Sequence, residues 1–169
     1  MKRLLLFLTM ITTSVVAEAQ HYEHSAGVRT GYTSAVTYKR FFSDEQAIEF
    51  MASGKNDGLQ IATLYQFNRP MEVSFNDQFF VYYGIGASVG YQKYSGTYVE
   101  IIPNPAQPFF YNRRTYFTMG IDALLGVEYR WLAVPITIGL DIKPQFEFIG
   151  MKYTETHFWD MGLSVKYVF

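Results

Sequence analysis

The sequence predicts an all-β fold, an eight-stranded antiparallel up-and-down transmembrane β-barrel over residues 20–169, preceded by a leader at residues 1–19. Three observations predict it. Apolar and polar residues alternate with period two through segment after segment, which is the pattern of a strand with one greasy and one polar face. The connections between these segments fall alternately at two ends. The apolar faces of the later segments carry no charge at all. Composition agrees: fourteen Tyr and fifteen Phe help bring the aromatic share to 18%, while only 17% of residues are charged, against about 25% in soluble domains. The absence of cysteine and a formal net charge of -1 exclude a disulfide scaffold, a zinc ribbon and a basic nucleic-acid binder.

The leader comes first. Lys2 and Arg3 precede the apolar run Leu4–Ile11, and Ala17-Glu18-Ala19 supplies a small-x-small cleavage motif. Charged start, apolar middle and small-residue end describe a secretory signal peptide, with cleavage expected after Ala19. The apolar run is too short to serve as a membrane anchor, and no cysteine is present to be lipidated.

The strands follow in order. Candidates lie near 24–32, 35–42, 46–54 and 58–67, the last with Leu59, Ile61, Thr63, Tyr65 and Phe67 on one face. The second half alternates more regularly. Phe79, Val81, Tyr83, Ile85, Ala87, Val89 and Tyr91 share one face of the fifth strand, and Phe117 to Trp131 repeats the pattern in the sixth. Ile136, Ile138, Leu140, Ile142, Pro144, Phe146 and Phe148 define the seventh, and Trp159, Met161, Leu163, Val165, Tyr167 and Phe169 the eighth. Ser43–Glu45, 68–77 and 132–134 connect at one end. The turn near Thr33, the Lys55–Gly58 turn with its Asp-Gly signal, the long 95–113 stretch and 150–157 connect at the other. A meander with an even number of strands closes on itself and leaves no unpaired edge.

Alternation does not say which face is inside, because a soluble lipocalin-like barrel around an apolar ligand has the same period. The polar faces decide it. They carry Arg29, Lys39, Arg114, Arg130, Lys143 and Lys166 against Glu49, Asp122, Glu128, Asp141, Glu147 and Asp160, six of each sign, as a paired interior network requires. They also carry Gly84, Gly86, Gly90, Gly120, Gly126, Gly139 and Gly162, small residues that a narrow eight-stranded lumen needs. The expected interior is therefore a packed polar plug without an open pore. On the apolar faces, aromatic residues gather at strand ends in two girdles, and a cation at mid-height would cost about 2–4 kcal/mol in a bilayer. Arg40 is the one charge on these faces, near a strand end where its head reaches the interface.

The ending Met161-Gly-Leu-Ser-Val-Lys-Tyr-Val-Phe169 resembles the C-terminal strand of bacterial outer-membrane barrels, in which a terminal aromatic is read by the barrel-assembly machinery. The mature chain as a whole resembles the small outer-membrane β-barrel family. It is comparable in size to the transmembrane domain of outer-membrane protein A, and Gly126–Pro144 is similar to the strand-turn-strand of such barrels in the Bacteroidota. It departs from outer-membrane protein A in carrying no peptidoglycan-binding domain, so no tether to the cell wall is expected. The resemblance implies the cell outer membrane of a Gram-negative bacterium. It also implies Tyr167 and Phe169 as an assembly signal, and outer-membrane lipid, lipopolysaccharide and the assembly machinery as partners.

Chemistry is sparse. Some small barrels of this family modify lipid A by acyl transfer or deacylation, the latter with a His-Ser-Glu set. Of the three histidines only His157 falls near an outer rim, and it has no His-x-Ser spacing; Thr154 and Thr156 are its nearest hydroxyls. His157 is the one weak catalytic candidate, and a plain rim histidine is the simpler reading. His21-Tyr22-Glu23-His24 could offer metal ligands, but in a terminal lead-in these groups are ordinarily solvated, so no metal and no cofactor is expected. The 95–113 connection is the best interaction candidate. Three prolines stiffen it, Tyr98, Ile101, Ile102, Phe109, Phe110 and Tyr111 make it apolar, and Arg113 and Arg114 could meet lipopolysaccharide phosphates. The function expected is structural or surface interaction, with a lipid-A enzyme as the alternative and a soluble carrier of an apolar ligand as the third.

Overall fold

In the computed structural model, the described residues are 23–55, 57–71, 78–93, 115–131, 134–149 and 153–169. The leader, His21 and the long connection with Tyr98, Ile101, Ile102, Phe109, Phe110, Tyr111, Arg113 and Arg114 lie outside them. Ten strands follow one another: β1 (His24–Gly31), β2 (Ser34–Phe41), β3 (Gln46–Lys55), β4 (Gly58–Pro70), β5 (Phe79–Lys93), β6 (Thr115–Trp131), β7 (Ile136–Ile142), β8 (Gln145–Ile149), β9 (Tyr153–His157) and β10 (Met161–Val168). From β1 to β6 each pairs antiparallel with the next. β6 then pairs with both β7 and β8, which lie end to end along it. β9 pairs with β8, β10 pairs with β7, and β10 returns to β1. The ten segments thus make eight staves of a closed antiparallel β-barrel.

Ring closure is completed at the chain ends. His24 N–H donates to Phe169 O at 3.0 Å, and Phe169 N–H donates to His24 O at 2.9 Å. Closure removes the edge from the ring of β1 to β7 and β10, while β9 pairs on one side only, with β8, among the described residues. The tightest turn joins β3 to β4: Lys55 pairs with Gly58, so two residues make the loop, and Asp57 takes φ 53°. Asp is among the few residues that adopt this left-handed conformation cheaply, so the Asp-Gly pair marks the turn while Gly58 itself belongs to the strand.

Two staves differ from expectation. The eighth begins at Tyr153 rather than Trp159, so most of the 150–157 connection is strand β9. The seventh and eighth are also both interrupted, where Lys143-Pro144 faces Phe158-Trp159-Asp160. Three residues opposite two form a bulge, and Pro144 brings no N–H to the ladder. Lys143 N–H donating to Asp160 O at 2.9 Å and Ala123 N–H donating to Pro144 O at 2.9 Å hold the wall together there.

The orientation of the faces is unambiguous. Leu140 is 57% exposed and Leu163 45%, whereas Asp141 and Lys166 on the same two strands are 5% and 3% exposed. Grease lines the outside and charge fills the middle. The interior is not wholly polar, however: Ala35, Met51, Ala62, Leu64, Tyr82 and Leu124 form an apolar cluster inside the barrel.

Candidate functional site

Among the described residues, chemically active side chains converge in the interior, because strand alternation sends every second residue inward. Each stave contributes at least one. Arg29 on β1 is the most highly connected. Its Nε donates to Asp141 Oδ1 at 2.8 Å, one terminal nitrogen lies 2.7 Å from the same carboxylate, and the other donates to Asp160 Oδ1 at 3.0 Å and to Thr33. Thr33 Oγ donates to Asp160 Oδ2 at 2.6 Å. Lys143 lies 3.7 Å from Asp160 and 3.5 Å from Asp122, which extends the group to β6. Asp141 in turn accepts the Tyr82 hydroxyl at 3.0 Å.

A second group surrounds Glu49 on β3, which accepts both Lys166 Nζ and Gln66 Nε2 at 2.5 Å. A third lies toward the chain ends. Lys39 Nζ stands 3.6 Å from Glu128, whose other oxygen accepts Arg130 Nε at 3.0 Å. Lys39 Nζ also sits 4.7 Å from the centroid of the Tyr82 ring, and Arg130 stacks 3.5 Å from that of Phe80. Paired, hydrogen-bonded charges of this kind are tolerated in a water-poor interior, where isolated ones are not.

Glycine makes the space. A Cβ on Gly126 would overlap the Tyr82 ring, one on Gly139 would stand 2.6 Å from Ser164 Oγ and 3.1 Å from the Tyr82 hydroxyl, and one on Gly162 would overlap the Arg29 guanidinium. The large interior side chains occupy the volume that these three positions give up.

Of the expected network, Arg29, Lys39, Glu49, Asp122, Glu128, Asp141, Lys143, Asp160 and Lys166 are brought together in these ion pairs. Glu147 lies nearer the end remote from the chain termini. It is 1% exposed and accepts Gln60 Nε2 at 3.1 Å. Across the ladder from it is Glu155, with His157 two residues on. His157 is not in a rim connection as expected but in a strand, half-buried and facing inward, 3.4 Å from Glu155 and 5.7 Å from the Tyr32 ring. Thr154 and Thr156 point to the opposite, exposed side. Among the described residues no hydroxyl is hydrogen-bonded to His157 Nε2, the kind of contact that a histidine-activated nucleophile makes.

The outer face bears two aromatic groups. At the end with the chain termini, Tyr38, His24, Phe169 and Tyr167 stack in sequence, and His24 Nδ1 is 2.8 Å from the Tyr38 hydroxyl. Tyr65, Phe67 and Tyr83 form a second run, and Phe79, Tyr129 and Trp131 a third. At the other end Phe146 packs edge-on to Phe148, with Tyr91, Phe117 and Trp159 exposed. The chain matches no family model, no curated protein and no solved structure.

Proposed function

We propose that this protein is a small outer-membrane barrel with a plugged interior, serving a structural or surface-interaction role and conducting nothing. The observation that carries this reading is the outer wall. Val28, Ile61, Ile85, Val89, Ile121, Leu125, Val127, Leu140, Leu163 and Val165 are all exposed there, an apolar surface far beyond the scattered patches of a soluble monomer. Aromatic groups flank it above and below, as they flank the hydrocarbon band of membrane barrels. A carrier for an apolar ligand would need the reverse arrangement, with grease inside and charge outside. Lipid and lipopolysaccharide then become the partners of the wall, and Tyr167 and Phe169 at the closing seam the signal for the assembly machinery.

The test is extraction and gel migration. The protein should enter solution only with detergent, and should migrate faster unheated than boiled, as closed barrels do. Release from cells without detergent would refute the membrane reading. In planar bilayers the purified protein should give no stable conductance steps, and steady channels would refute the plug.

A further inference from the structure

We infer that Glu147, Glu155 and His157 form a binding site for a divalent transition-metal ion of the zinc type, inside the barrel near the end remote from the chain termini. The three side chains each bring one ligand atom to within 4.8 Å of the others. β8 and β9 place them there. Glu147 and Glu155 are direct cross-strand partners, and His157, opposite Gln145, projects from the same inward face.

Two carboxylates directly opposite one another repel, and Glu147 is almost wholly buried. Glu155 Oε2 and His157 Nε2 are shielded from water and have no hydrogen-bond partner among the described residues, although His157 Nε2 lies 3.4 Å from Glu155 Oε1. A third observation is independent of these. Gln60, 3% exposed, donates its amide to Glu147 and leaves its own Oε1 buried and unpartnered among the described residues. Native proteins satisfy nearly all such atoms, and a bound ion is one way in which they do. A cation held by Glu147, Glu155 and His157 satisfies the idle lone pairs of Glu155 and His157 together.

The donor set points to the class of metal. An imidazole nitrogen with two carboxylates suits zinc and its neighbours, whereas magnesium and calcium take oxygen ligands and several waters. Three protein ligands leave a coordination position for water or for Gln60 Oε1. Tyr32, tilted against the His157 ring, limits its rotation. The other histidine among the described residues, His24, is differently engaged: its Nδ1 faces the Tyr38 hydroxyl and its ring stacks between Tyr38 and Phe169.

The full chain, folded in detergent micelles, is titrated calorimetrically with zinc chloride in excess magnesium chloride. One ion per chain is expected. Glu155→Gln and His157→Gln should each weaken binding by at least about tenfold, since even outer-shell changes cost that much. His21→Gln combined with His24→Gln should leave it unchanged. Variants are scored only where unheated migration shows a closed barrel. An unsubstituted measurement stands beside them: zinc should protect His157 of the natural chain from diethylpyrocarbonate, read by peptide mass. Failure to bind zinc, displacement by magnesium, undiminished binding in the two site variants, loss in the His21/His24 pair, or an unprotected His157 would overturn the assignment.

Discussion

Gly162 lies against the guanidinium of Arg29 with no room for a methyl group between them; a Cβ on the glycine would overlap Arg29 Cζ. Arg29 cannot retreat, because Asp141 holds it on one side and Asp160 with Thr33 on the other. Gly162→Ala is therefore expected to destabilise the folded barrel by about 1–3 kcal/mol, the usual effect of overpacking a rigid site. Urea unfolding followed by gel migration reads the change. Gly54 is the control: a Cβ there meets nothing within 4 Å, so Gly54→Ala should stay within about 0.5 kcal/mol of the natural chain. Equal effects at the two positions would contradict the close approach.

Removing Arg29 itself tests the charge network. Arg29→Met keeps much of the side-chain volume but leaves Asp141 and Asp160 buried without their main cation, which should cost about 3–5 kcal/mol. Lys143 still stands near Asp160, so Asp141 bears most of the loss. Arg29→Met with Asp141→Asn should recover a substantial part of the stability, since the orphaned charge is gone. A double variant no more stable than the single one would show that Arg29 acts through packing alone.

The staves and their faces were legible because lipid-like grease on one side and charge on the other impose a strict period of two. Leu140 and Asp141 declare opposite sides with no help from tertiary contacts. Strand β9 was not legible, and the reason is physical. Its outward residues, Thr154 and Thr156, are exposed but not apolar, so the segment shows no greasy alternation. The bulge at Phe158–Asp160 then shifts the phase by one: odd-numbered residues face outward in β10 and inward in β9. Extending the C-terminal alternation backward puts Glu155 and His157 outside, and their meeting with Glu147 disappears from view. Pro144 was hidden in a different way, because the seventh stave keeps its phase across the break. The interior apolar cluster was also unannounced. Leu64, Leu124 and Tyr82 sit on otherwise polar faces and are buried inside the barrel.

Among the described residues, Tyr82 is the largest neutral side chain fully buried in the lumen. Its ring lies between Lys39 at 4.7 Å and Lys166 at 5.9 Å, its hydroxyl is bound to Asp141, and Gly126 and Gly139 give way to it. Tyr82→Ala should cost about 3–5 kcal/mol, as deletions of buried aromatic side chains do. It should also admit water along the lumen, so ion conductance is expected in planar bilayers where the natural chain should give none. A silent Tyr82→Ala barrel that still migrates as a closed form would place the barrier in the ion pairs instead.

The outer wall makes a prediction that separates lipid from water. Leu140 is flanked across its two ladders by Leu163 and Val127, in the middle of the apolar band. Ile136, on the same stave and the same face, is flanked by Tyr167 and Trp131, members of the aromatic group at the chain-terminal end. In a bilayer an arginine at the first position loses its hydration, whereas at the second its head reaches the interface. Leu140→Arg should therefore cost about 2–4 kcal/mol and Ile136→Arg about 0–1 kcal/mol, measured by reversible unfolding from lipid vesicles. In water both sites are simply exposed, and the two substitutions should be equally mild. Depth dependence is thus the signature of a membrane around this wall, and equal effects at Leu140 and Ile136 would remove it.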